Sequence, residues 1–141
     1  MTKAKDEIEE MKIGATVGPK IGEVMPDGTV YAGTSPDTNE AMYTTPGDAP
    51  RTMKWKEATE YAAKLAVQGY RDWRVPTKGE LDVLFGNRAA IGGFNVSDSY
   101  PGGWYWSSSQ EDGNFAWNQR FSDGGQSLIN ELNYSALRCV R

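Results

Sequence analysis

An α+β fold follows from three features of this 141-residue chain. Turn chemistry cuts the first third into short extended runs, two helical periodicities fill the middle, and closely spaced glycines punctuate the last third. Hairpin, helix, helix, then several short strands is an order that segregates helices from sheet. Sixteen Gly and seven Pro favour loops, while five Trp, seven Tyr and four Phe supply buried area although only 38% of residues are hydrophobic. This length holds one domain with a real core and not two ordinary ones. The division read from the sequence is a charged tail or short helix over residues 1–12 and one domain over 13–141.

In the tail, Ile8 and Met11 are the only apolar pair at helical spacing, and so short a helix is marginal in water. It reads as a frayed tail or an oligomer contact. Residues 21–32, IGEVMPDGTVYA, set Pro26, Asp27 and Gly28 between runs containing Val24, Val30 and Tyr31, which predicts a β-hairpin. Ser35, Pro36, Asp37 and Asn39 make a second turn before a short strand over 41–44, and Pro46 and Pro50 then break the chain. Trp55, Ala58, Ala62, Leu65 and Ala66 recur at steps of three and four, predicting a helix over 55–68 with Gly69 at its C′ position. Thr77 and Glu80 form a capping box after Pro76, so a second helix starts there and buries Leu81, Leu84 and Phe85. Short strands are expected over 105–108, 115–121, 128–132 and 136–140. Strand alternation points Trp104 and Trp106 one way and Tyr105 the other.

Several function classes are disfavoured. A net charge of −4 and a pI near 4.9 oppose binding through nucleic-acid phosphates. A single Cys139 cannot form an intrachain disulfide, and with no histidine there is no zinc-ligand cluster, so Cys139 reads as a small buried hydrophobe. Glu111, Asp112 and Asp123 lack the spacing of a calcium loop and read as solvated acids. The serines at 107–109 have no histidine base and no G-x-S-x-G elbow. No catalytic residue, metal or cofactor is expected. No run approaches the roughly 20 apolar residues of a membrane span, and the charged amino terminus has no apolar signal region. Membrane insertion is not expected; synthesis in the cytoplasm is, and it leaves virion or surface display open. In Asp72-Trp73-Arg74, Trp73 is expected in the core, with the two charges paired to backbone or to each other.

Residues 103–141 carry the functional signal. They set Trp104, Tyr105, Trp106, Phe115, Trp117, Phe121 and Tyr134 among Gly, Ser, Asn and Asp. Rigid aromatic bodies with small adaptable polar groups make the composition of a recognition surface.

The string Gly69-Tyr70-Arg71-Asp72-Trp73-Arg74-Val75-Pro76-Thr77 with Glu80-Leu81, then Tyr105-Trp106-Ser107-Ser108, and the ending Arg138-Cys139-Val140-Arg141 resemble the Lcl C-terminal-domain family. That family takes its name from the C-terminal domain of a collagen-like bacterial adhesin. The likeness covers about residues 55–141 and implies a C-type-lectin-like fold, with two helices packed on short, mostly antiparallel strands and long loops. The tail also resembles variable proteins diversified by retroelements, whose changeable positions favour residues reachable from an Asn codon with two adenines. Gln126 and Glu131 fall outside that set. Trp117-Asn118-Gln119 lacks the carboxylate of a calcium-dependent sugar site, and one cysteine does not suffice for the chemistry of lectin-like sulfatase-activating enzymes. The resemblance thus implies a non-enzymatic binding or display domain with its ligand surface at about 110–137. The candidate contacts are Gly113, Asn114, Phe115, Trp117, Asn118, Gly125, Ser127, Leu128, Ile129, Asn130, Leu132, Asn133 and Tyr134, with Phe115, Trp117 and Tyr134 as energetic anchors. The partner expected is a protein or cell-surface ligand, with a homo-oligomer as a further option. The alternative reading is a structural or assembly module without a diversified site.

Overall fold

The computed structural model describes residues 18–141, so the helix considered for residues 1–12 lies outside the described residues. At the first turn, Met25 N–H donates to Thr29 O at 2.8 Å, and Asp27 Oδ1 accepts from both the N–H and hydroxyl of Thr29. Gly28 sits at φ +90°, and a Cβ there would stand 2.2 Å from Gln68 Nε2. The hairpin forms, but its first arm is only a bridge between Val24 and Val30. The second arm is strand β1 (Val30–Thr34), which pairs antiparallel with β2 (Ala41–Thr44).

Helix α1 (Trp55–Lys64) stops short of the expected residue 68 because Leu65 turns extended at φ −69°, ψ 128°. Beyond it the chain forms a turn in which the Val67 carbonyl accepts from the Trp73 indole N–H at 3.1 Å and from Tyr70 N–H at 3.0 Å. A buried indole requires such an acceptor. Gly69, at φ +83°, therefore serves this turn and not a helix cap. Helix α2 (Lys78–Gly86) begins at the expected capping box, with Leu81 and Leu84 buried and Phe85 partly so. A four-residue helix, α3 (Arg88–Ile91), follows with no side-chain cap, and the sequence carries no signal for it.

Strands β3 (Trp104–Glu111), β4 (Phe115–Arg120) and β5 (Gln126–Asn130) form an antiparallel sheet in that order. The strand expected over 136–140 is not a continuous ladder. Ala136 bridges Tyr105 in parallel, while Val140 bridges both Thr44 and Arg74, so the ending touches three different segments. Tyr43 and Arg141 exchange backbone bonds at 2.8 and 2.9 Å, tying the carboxyl end to β2.

Two apolar clusters flank β3, as its alternation predicts. Tyr105 joins Val30, Met42, Leu81, Leu84, Phe121 and Val140. Trp106 joins Met53, Ala58, Ala62, Trp73, Leu137 and Cys139. Helix α2 packs across β1, β3 and β4, and α1 packs on β3. The architecture is α+β, with two main helices on short antiparallel strands joined by long loops.

Candidate functional site

The site rests on a charged frame. Arg74 donates twice to the Glu80 carboxylate, at 2.6 and 2.8 Å, and Ser35 Oγ and Thr77 N–H add bonds of 2.6 and 3.0 Å. Burial alone would raise this carboxyl, but Arg74, Ser35 and Thr77 together draw it down to about 2. Asp72 and Arg74, expected to pair with backbone or with each other, instead hold Arg141 at 2.7 Å and Glu80 at 2.6 Å. Trp73 is in the core as expected. Arg138 is fully buried and held by Asp48 Oδ1 at 2.9 Å and by the carbonyls of Thr45 and Gly92.

Register then distributes the candidate contacts. β4 and β5 pair Asn118 with Ser127 and Ala116 with Ile129 on one face, and Trp117 with Leu128 and Phe115 with Asn130 on the other. The candidates therefore divide between two faces of the sheet. Gly113 and Asn114 lie exposed at the β3–β4 turn, and Leu132, Asn133 and Tyr134 lie exposed beyond β5. Exposure reaches 72% at Leu132, 45% at Tyr134, 38% at Phe115 and 37% at Leu128. Gly125, Ser127, Ile129 and Asn130 are half-buried.

Two residues differ from what their sequence context implied. Asn118 is only 2% exposed and donates its amide to Ser135 Oγ at 3.2 Å, so it forms a floor and not an outer contact. Trp117 is half-buried: Lys78 Nζ lies 3.7 Å above its ring, and its indole N–H donates to Glu111 Oε2 at 3.0 Å. Much of its surface is already engaged within the chain.

On the first face, Tyr100, Trp104, Asn118, Ser127, Ile129 and Asn133 line a cleft of about 260 Å³. Tyr100 and Trp104 were not among the candidates. Tyr100 is 51% exposed, and its hydroxyl accepts from Tyr134 N–H at 3.1 Å, which joins the 95–103 loop to the tail. Trp104 already stood out as part of the aromatic run, but Tyr100, next to Pro101, carries no local signal. The guanidinium of Arg120 lies 5.2 Å from the Trp104 ring and is neutralised by Asp123 at 2.6 Å. A second hollow of about 310 Å³ lies between Lys54 at the N-cap of α1, Lys56 and Glu57 in its first turn, and Gly113, Asn114, Asn130, Glu131 and Leu132.

The chemistry of the first cleft is apolar and amide-rich, with no carboxylate, thiol or imidazole in its lining. Its volume is below the roughly 300–1,000 Å³ of typical small-molecule pockets, so it suits one projecting side chain or ring. Cys139 is buried, and burial pushes its thiol up to about 12, which keeps it protonated at neutral pH. Among the described residues no group of three His, Cys, Asp or Glu is placed to hold a metal ion, and no helix is long and apolar enough to cross a membrane.

Among solved structures, the chain is similar to the crystal structure of botrocetin, at 13% identity and a TM-score of 0.48, over 84% of this chain and 98% of that one. At that score the likeness supports no conclusion about function. No curated protein matches the chain. The family comparison is specific: residues 31–141, which include the buried Glu80–Arg74 frame, the Trp106 core and the whole β3–β5 sheet, match the Lcl C-terminal domain, and the chain belongs to that family.

Proposed function

We propose that this domain is a non-enzymatic binding module that recognises a protein or surface ligand through the outer residues of its segment 113–134. One observation carries the reading. Phe115, Leu128, Leu132 and Tyr134 are four of the eight exposed large hydrophobics among the described residues, whereas residues 135–140 directly after them are all buried. Single exposed apolar side chains are ordinary, but several gathered in one segment beside a packed frame are the pattern of a contact surface. Leu132, Tyr134, Tyr100 and the Trp104 cleft form the anchor region, with Asn133 and Ser127 as adaptable polar contacts.

The same pattern supports diversification by a retroelement. Each of Gly113, Asn114, Phe115, Gly125, Ser127, Leu128, Ile129, Asn130, Leu132, Asn133 and Tyr134, the residues reachable from a two-adenine codon, is exposed or half-buried. Glu131, outside that set, is buried; its carboxylate accepts from Gln110 at 2.6 Å and its carbonyl from Trp55 N–H at 3.1 Å. Exchange at the exposed members Asn114, Phe115, Leu128, Leu132, Asn133 and Tyr134 removes no buried contact, whereas exchange at Glu131 breaks a buried hydrogen bond.

Two experiments test the reading. Sequencing the DNA around the gene is expected to find a reverse transcriptase and an adenine-rich near-copy of the final codons; without them, diversification is ruled out as the origin. Binding of the protein to a panel of immobilised surface proteins and whole cells, compared with the Leu132→Ala/Tyr134→Ala variant, tests recognition. Each anchor is expected to contribute at least about 1 kcal/mol, so the double variant loses tenfold or more in affinity at unchanged melting temperature. Equal binding by both proteins, or by neither, contradicts the proposal.

A further inference from the structure

The two outer edges of the β3–β4–β5 sheet differ. On the β3 side the chain closes its own edge: Ala136 N–H donates to Trp104 O at 2.7 Å, Trp106 N–H to Ala136 O at 3.0 Å, and Ser108 N–H to Pro76 O at 2.7 Å. On the β5 side no strand or bridge among the described residues covers the edge. Bonds from Glu131 N–H to Asn114 O and from Arg120 N–H to Gly125 O mark the rungs that face β4. Alternation from those rungs turns the backbone groups of Gln126 and Leu128, and the N–H of Asn130, outward.

Natural edges are blunted by Lys, Pro, bulges or inward charges, because a bare row of backbone donors and acceptors invites another strand. The strand QSLIN has no charge and no proline, and its pairing with β4 runs without a register shift. We propose that a second copy of this chain pairs at this edge, β5 against β5, antiparallel about a two-fold axis at Leu128.

The strand is self-complementary in that register. Leu128 meets its counterpart, Gln126 meets Asn130, and Ser127 meets Ile129, so no like charges face each other. The cross-strand pair Trp117–Leu128 ends at the edge, with Leu128 still 37% exposed. Pairing continues it into an apolar ladder that runs Trp117, Leu128, Leu128, Trp117 across the two copies. The two-fold axis is perpendicular to the sheet, so both Trp104 clefts open on one face of a six-stranded sheet. That arrangement displays two binding surfaces side by side, and avidity follows from their linkage. A five-residue edge buries less than the roughly 1,200 Å² of a stable interface, so the dimer is weak and forms as concentration rises.

The test is sedimentation velocity of the full chain from about 10 μM to about 1 mM, the range in which small interfaces dissociate, with hydrogen exchange at the two extremes. Mass is expected to rise from monomer to dimer, and the Leu128→Lys variant to remain monomeric. The amides of Leu128 and Asn130 should gain protection with concentration, because they donate to the outward carbonyls of Leu128 and Gln126 of the other copy, while those of Ser127 and Ile129 are protected throughout. A monomer across the whole range, or a dimer in which the Leu128 amide exchanges as fast as in the monomer, overturns the proposal. The exchange measurement uses the unaltered chain, so it decides the matter even if Leu128→Lys fails to fold. No ligand enters the experiment, so its outcome is independent of whether the cleft binds anything.

Discussion

At the scale of single residues, Glu80 shows how far a side chain's role extends beyond its neighbours in sequence. Its bonds to Thr77 and Arg74 span three and six positions, but the bond to Ser35 spans 45. The capping box was legible because both partners are local; the buried three-donor carboxylate was not. Arg138 is similar: the motif ending named it, but only folding brings it to Asp48, 90 residues away. The pH consequence follows from the depressed Glu80 carboxyl. Its folded value near 2 lies below the ordinary 4.5, so its contribution is fully present above pH 4.5 and is lost as pH falls toward 2. Replacing Glu80→Gln is expected to cost about 3 kcal/mol, the low end for breaking a buried pair, because the Arg74 side chain remains 42% exposed. Urea denaturation at pH 7 and pH 3 checks both points: the variant should lose stability at pH 7 and show a shallower fall on acidification. Equal slopes for the two proteins would contradict the assignment.

At the scale of elements, α2 was readable from sequence and α1 only in part. Thr77 Oγ1 accepts from Glu80 N–H at 3.1 Å and Glu80 returns a bond to Thr77 N–H at 3.0 Å, the reciprocal arrangement expected of this spacing. Thr77→Ala is therefore expected to lower stability by about 1 kcal/mol, measured by thermal denaturation. The cost should exceed that value only if loss of the cap also displaces Glu80. Periodicity extended α1 too far, because Leu65 leaves the helix and Val67 and Tyr70 form a bridge that the 3.6-residue pattern does not encode. The last expected strand failed for a related reason: Ala136 and Val140 each serve a different partner. Composition pointed to 113–134 as a surface, but composition carries no register, and Ala116, Asn118, Gln119, Phe121 and Glu131 within it are buried. The division of Ser127 and Ile129 from Phe115 and Leu128, the burial of Asn118, and the contribution of Tyr100 all depend on strand pairing and long-range contact.

For the whole molecule, two apolar clusters on either side of β3 and the buried Glu80 and Arg138 networks make a frame that does not use the outer tail residues. Lcl C-terminal-domain membership fits that frame, since the matched residues 31–141 include Trp73, Glu80, Trp106 and Arg138. A rigid scaffold with replaceable outer groups separates stability from recognition, and that separation is the central claim. The most direct test replaces Phe115, Leu128, Leu132, Asn133 and Tyr134 together with Ser and measures the melting temperature. Surface exchanges of this kind sum to about 2 kcal/mol or less, so the midpoint is expected to fall by under about 10 °C with a cooperative transition retained. Core residues would instead cost about 2–5 kcal/mol each, so a protein that no longer folds would contradict the claim.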